Sequence, residues 1–134
     1  MLGKDRRIWL DLGQVQVMAT VKLNGKDLGI LWKPPYRVDV TEVLKAGDNA
    51  LEIGITNLWI NRMLGDEELA EDSDRNSDGT LKVWPQWVQE GKPSPTGRFT
   101  FTSGRLWKKG EPLVGSGLIG PVTLKAAALA RAGK

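Results

Sequence analysis

"VQVMATVKLNGKDLGIL", residues 15–31, is the stretch on which the fold turns. Val15, Val17, Ala19, Val21 and Leu23 alternate with Gln16, Met18, Thr20 and Lys22. A period of two places the apolar set on one face of an extended chain, the pattern of a half-buried antiparallel strand. Asn24-Gly25 follows at once, and these are the residues that tolerate the positive φ of a tight hairpin turn. The chain then returns through Leu28, Ile30 and Leu31 to Trp32.

The same period extends in both directions. Upstream, Ile8, Leu10 and Leu12 share one face of a strand. Downstream, Pro34-Pro35 breaks the hairpin, after which Tyr36, Val38 and Val40 alternate with Arg37 and Asp39. Thr41 and Glu42 are placed to cap a short helical turn at Val43-Leu44, and "KAGDN", residues 45–49, turns the chain into a strand carrying Leu51, Ile53 and Ile55. There the alternation stops. "NLWINRMLGD", residues 57–66, reads as a loop, and between Asp66 and Asp78 seven acidic residues face the single Arg75, which describes a long surface loop. A strand is expected at Arg98 to Thr102 and a last one at Val122 and Leu124. The expectation is therefore all-β, one sandwich over residues 1–125, with the Ala-rich residues 126–134 a frayed helix or tail.

Composition narrows the chemistry. The 134 residues suffice for one core. A net charge of +3, with basic residues spread along the chain, lacks the basic stripe of a phosphate-backbone binder, so nucleic acid is not expected as a partner. With no Cys and no His, disulfides, thiolate nucleophiles, Ser-His dyads and His- or Cys-ligated zinc are excluded; a pair of carboxylates is not. No apolar run is long enough for a signal-peptide core or a membrane span, and no membrane partner is expected.

Six Trp residues stand out, because an indole face stacks well on the C–H face of a sugar ring. Trp9 reads as packed. Trp32, Trp59, Trp84, Trp87 and Trp107 fall at strand ends or in loops, where binding residues concentrate. Trp59 with Asn61, Arg62 and Asp66 combines a stacking face with amide, guanidinium and carboxylate groups suited to hydroxyls; the competing reading pairs Arg62 with Asp66 inside the loop. Trp84 and Trp87 form either a platform or a plug, and Arg37 is a surface candidate beside an inward Tyr36. Asp74, Asn76, Asp78 and Gly79 match the first half of an EF-hand calcium loop, but the twelfth position is Pro85 rather than Glu. Calcium is a candidate ligand there, against a plain solvated acidic loop, and no cofactor is required.

"LDLGQV", "ATVKLNGKDLGILWKPPYRVDVTEVLKAGDNALEIGITNLWINRMLGD", "KPSPTGRFTFTS" and "SGLIGPVTL" together resemble the galactose-binding-like jelly-roll domain of family 2 glycoside hydrolases. They are more similar still to the C-terminal domain of family 106 α-L-rhamnosidase-type enzymes. The resemblance runs from Ile8 to Leu124 and implies a jelly-roll β-sandwich that is ancillary, the acid and nucleophile belonging to a separate barrel. It implies a bacterial parent enzyme, secreted or periplasmic, though no signal peptide is visible in this chain. The expected function is a carbohydrate-binding module for poly- or oligosaccharide, using Trp32, Arg37, Trp59, Asn61, Arg62, Asp66, Trp84 and Trp87. The alternative is a structural accessory domain that packs on the catalytic domain of the parent glycosidase and binds no sugar alone. In family 2 enzymes the loop after the strand matching Leu51 to Ile55 reaches toward the catalytic pocket, which draws Asn61 and Arg62 to a sugar or to the barrel. The family's first strand has no counterpart before "RIWLDLG", so a sheet edge is expected to be covered by a partner chain, a homodimer included, or by the rest of a larger enzyme.

Overall fold

The computed structural model describes residues 6–128. These form two compact units, one running up to Leu58 and resuming at Gly115, the other from Trp59 to Val114. The sequence reading expects a single sandwich over residues 1–125; residues 59–114 gather into a unit of their own.

The first unit holds β1 (Arg6–Asp11), β2 (Gln14–Gln16), β3 (Met18–Leu23), β4 (Lys26–Leu31), β5 (Arg37–Asp39), β6 (Leu51–Thr56), β7 (Gly117–Gly120) and β8 (Thr123–Ala128). They pair antiparallel in the orders β5-β1-β8, β4-β3-β6 and β2-β7. Ile8 and Leu10 of β1, Leu12, Val15 of β2, Ala19, Val21 and Leu23 of β3, and Val40 make one buried cluster. Because that cluster draws on both three-stranded sheets, the unit is the all-β sandwich expected. Each such side chain taken from water stabilises by about 1.5–3 kcal/mol, Ala19 by less.

The expected hairpin is present, with Asn24 at φ 51° and Gly25 at φ 81°. Asn24 does more than turn the chain. Its Nδ2 donates to the Val43 carbonyl at 2.9 Å and to Asn49 Oδ1 at 2.8 Å, and its Oδ1 accepts the Ala50 N–H at 3.0 Å. The two turns read separately from the sequence are thus bonded to each other.

Three local expectations are corrected. The run from Val15 to Leu23 is two strands, with the half-buried Val17 between them donating its N–H to Thr56 at 3.0 Å. The helical turn at Val43-Leu44 is opened by Asp39, whose Oδ1 accepts from the Thr41 N–H at 2.9 Å and from its hydroxyl at 2.6 Å, rather than by Thr41. Ala126–Ala128 are not a tail: they pair with Arg6, Arg7 and Ile8 in β8, because small side chains beside β1 leave the ladder unobstructed. Residues 129–134, the rest of the expected tail, lie outside the described residues.

The second unit contains two short helices, α1 (Ile60–Asp66) and α2 (Gln86–Gln89), joined by turns and two isolated bridges, Arg75 to Leu81 and Thr80 to Gly104. Residues 57–66 were expected to be loop, but Ile60, Met63 and Leu64 share a helical face and Leu64 is buried. Arg98 to Thr102 was expected to be a strand; it is not one, since its backbone N–H groups go to a side chain instead of a neighbouring strand.

Candidate functional site

The second unit is organised by charge. Arg98 is buried, and its guanidinium reaches the Ala70 carbonyl at 2.8 Å, the Leu69 carbonyl at 2.9 Å, Glu67 at 3.1 Å and Glu71 at 3.4 Å. Arg105 contacts Glu67 at 3.0 Å and both oxygens of Glu71 at 2.7 and 2.6 Å. Both Glu71 contacts are made by one nitrogen, Nη1, while Nε serves Glu67, so a single guanidinium joins the two acids. The hydrogen bond from Arg105 is the largest influence holding the Glu71 carboxyl below its ordinary range, against an opposing effect of burial. These acids, read as a solvated loop, are the partners of two arginines that no local pattern in the sequence connects to them.

Asp66, expected at a sugar, is buried, and one of its oxygens is turned to the protein's own backbone. Its Oδ2 accepts from the Phe99 N–H at 3.0 Å, the Thr100 N–H at 2.6 Å and the Thr100 hydroxyl at 2.7 Å. Burial, the largest influence, pushes its carboxyl up; the Thr100 and Phe99 hydrogen bonds and the nearby charge of Arg62 outweigh it and leave the value lowered. Asn61 likewise exchanges two hydrogen bonds of 2.9 Å with the Val114 backbone. Both are corrections with one cause: irregular backbone must find partners, and these side chains supply them.

Arg62 and Trp59 remain exposed. The Arg62 guanidinium lies 4.5 Å from the centre of the Phe99 ring, and Trp59 is tilted against the same ring at 6.4 Å. Trp84 and Trp87 do not make a flat platform; both pack on Phe101, at 5.8 and 5.4 Å, the second edge-on. The Trp87 N–H is donated to the Asp72 carbonyl at 2.9 Å, so Trp87 is packed within the second unit and Trp84 is the exposed member. In the first unit Trp32 is 62% exposed with the Lys33 ammonium 5.0 Å from its ring, and Arg37 covers Trp9 at 5.3 Å. Tyr36 is anchored inward by its hydroxyl on the Val17 carbonyl at 3.0 Å. Within the second unit the aromatic candidates gather on two rings, Phe99 and Phe101.

The half EF-hand closes on itself. Asp78 Oδ1 accepts from the Thr80 N–H at 2.9 Å and its hydroxyl at 2.6 Å, while Asn76 Nδ2 donates to the same hydroxyl at 3.0 Å. Among the described residues no group of three His, Cys, Asp or Glu side chains is arranged to hold a metal ion. Of Asp74, Asn76 and Asp78, the last two therefore serve the turn.

On the sandwich, an apolar groove of about 230 Å³ is lined by Leu10, Leu23, Leu44, Leu51, Val122 and Leu124. Leu51 of β6 and Leu124 of β8 stand at its rim, 41% and 55% exposed. Among the described residues both strands are outer strands of their sheets, so the groove is flanked by sheet edges. β1 itself is paired on both sides. No helix among the described residues is long and apolar enough to cross a membrane.

A β-sandwich interrupted by a polar unit is the architecture of a galactose-binding-like domain. Residues 1–92 match the family model for the glycosyl hydrolase 2 galactose-binding domain-like domain, and the chain belongs to that family. A protein of Formosa agariphila, provisionally named as a beta-glucuronidase, is 44% identical over 124 residues, which cover 92% of this chain and 11% of that protein. A solved rhamnosidase from Novosphingobium sp. PP1Y superposes with a TM-score of 0.61 at 33% identity, over 93% of this chain and 10% of that one. The chain spans about a tenth of the length of either relative.

Proposed function

We propose that the chain is a non-catalytic accessory domain of a glycoside hydrolase that docks on the remainder of a larger enzyme through the apolar groove of its sandwich. The observation that supports this most is the groove itself, with Leu51, Val122 and Leu124 open to solvent between two sheet edges. An open apolar groove beside sheet edges is what a strand or loop of another segment covers. Relatives about ten times longer than the match supply that remainder. A second copy of this chain is the other occupant that such edges admit.

The test has two halves. The purified chain should turn over neither aryl rhamnosides nor aryl glucuronides. Added in trans to the Formosa relative lacking its matching segment, it should bind, and Leu124→Glu should weaken that binding at least tenfold. Turnover that co-purifies with the chain, or equal binding by wild type and variant, contradicts the proposal; a sedimentation dimer lost in Leu124→Glu would assign the groove to a second copy.

Saccharide binding is the second reading, favoured by the exposed face of Trp32 and by the exposed Trp59 and Trp84. Titration of the chain with rhamnose-, galactose- and xylose-containing polysaccharides should change Trp fluorescence and gel mobility. No change in either would remove this reading.

A further inference from the structure

The second unit carries an open cleft of about 630 Å³ beside the turn at residues 73–79 and Arg105, Trp107 and Lys108, with no role in the network above. That volume falls within the range of small-ligand sites. Its floor is held rigid. Arg75 donates to Ser73 Oγ at 3.1 Å, the Gly79 carbonyl at 2.9 Å and the Thr102 carbonyl at 2.7 Å, and Arg105 is locked on Glu71. Gly79 sits at φ +83°, and a Cβ there would collide with the Arg105 carbonyl oxygen, so the turn is seated directly on that residue. A preorganised floor lowers the ordering cost of a ligand.

The rim differs. Trp107 is half-buried and lines the cleft, and Asp74, Ser77 and Lys108 line it as exposed side chains. Glu71, Asp74 and Asp78 are balanced by Arg75, Arg105 and Lys108, so the lining carries no net charge. Balanced charge does not favour a polyanion or a cation. An aromatic side chain beside exposed donors and acceptors suits a ligand that has an apolar ring face and an edge of hydroxyls.

We infer that this cleft binds a neutral saccharide, the ring against Trp107 and the hydroxyls bonded by Asp74, Ser77 and Lys108. The inference rests on the saccharide reading and moves its site away from Trp32 and Trp59. Docking through the sandwich groove is independent of it.

The whole chain is titrated with neutral oligosaccharides of galactose, xylose and rhamnose, and with a glucuronic-acid-containing oligosaccharide, by calorimetry and Trp fluorescence. At least one neutral sugar should bind in the micromolar to millimolar range. Trp107→Ala should weaken it about tenfold or more and Asp74→Asn about threefold, while Trp32→Ala leaves it unchanged. Asp74→Asn is on the rim and should melt as the wild type does; it decides the matter if Trp107→Ala fails to fold. Binding that survives Asp74→Asn and Trp107→Ala but is lost in Trp32→Ala overturns the cleft and leaves the saccharide reading standing. Binding of the acidic sugar alone overturns the neutral class, and no binding at all overturns both.

Discussion

The sandwich and the inserted unit are held by opposite means. In the first, Leu12, Val21 and Val40 are almost wholly withdrawn from water and strand ladders satisfy the backbone. In the second, Leu64 is the single buried aliphatic side chain among the described residues, and the buried polar groups are Asp66 and Arg98. An apolar core tolerates imprecision, since burial is non-directional. A buried guanidinium does not: its five donors need partners in fixed directions, and losing one side leaves an uncompensated charge. The inserted unit should therefore be the more brittle of the two, and its polar surface the better suited to a directional ligand.

The largest expected break in that contrast is Arg98→Ala. It leaves the Leu69 and Ala70 carbonyls without their donor and Glu67 with Arg105 alone, and should cost about 3–5 kcal/mol within the inserted unit, seen as loss of amide protection at residues 66–105 while β1 and β3 stay protected. Uniform destabilisation of both units would show that they are not held separately.

Leu12→Ala attacks the other side. It removes a fully buried side chain, and the cavity should cost about 2–5 kcal/mol, read as a lower denaturation midpoint of the sandwich strands. A cost below about 1 kcal/mol would mean that the core collapses around the gap.

Asp66→Asn sharpens the comparison further. It keeps the shape but weakens three hydrogen bonds to Phe99 and Thr100, for a cost of about 1–3 kcal/mol. An unchanged melting curve would mean that the charge on Asp66 is dispensable. Lys22→Ala is the smallest change: its exposed pair with Glu52 at 3.1 Å should be worth less than about 0.5 kcal/mol, and a larger shift would contradict the view that the sandwich is held by burial.

The same division explains what was legible in the sequence. Ile8, Leu10 and Leu12 were readable as one face and Val15, Val17, Ala19, Val21 and Leu23 as another because period two is a local signal, and all of them but the half-buried Val17 are buried. The Asn24-Gly25 turn was readable for the same reason. α1 was not, because seven residues with a single apolar turn are too short for a helical period to declare itself. Arg98 to Thr102 alternates like a strand yet donates to Asp66, a tertiary fact with no local trace. Asp66 and Asn61 were correctly noticed and wrongly employed: polar residues in a loop look alike whether they face a ligand or their own backbone. The one neglected signal was charge complementarity between the acidic run and Arg98 and Arg105. Trp107 was seen only as a loop aromatic, because its cleft exists only once the turn at residues 73–79 is seated.

Acid should separate the two units. Asp66 and Glu71 have folded values below their ordinary ones, so their contribution is complete above the unfolded values of about 4 and is lost as pH falls through the folded values. Asp11 and Asp39 of the sandwich are lowered too, chiefly by Lys125 and Thr41 respectively, but the strands that carry them are held by an apolar core that does not titrate. The most direct measurement is residue-resolved hydrogen exchange between pH 7 and pH 3, corrected for intrinsic rates. Protection at Phe99, Thr100 and α1 should fall with pH while β1 and β3 keep theirs. Equal loss in both units, or protection at Thr100 that does not change with pH, would contradict the account.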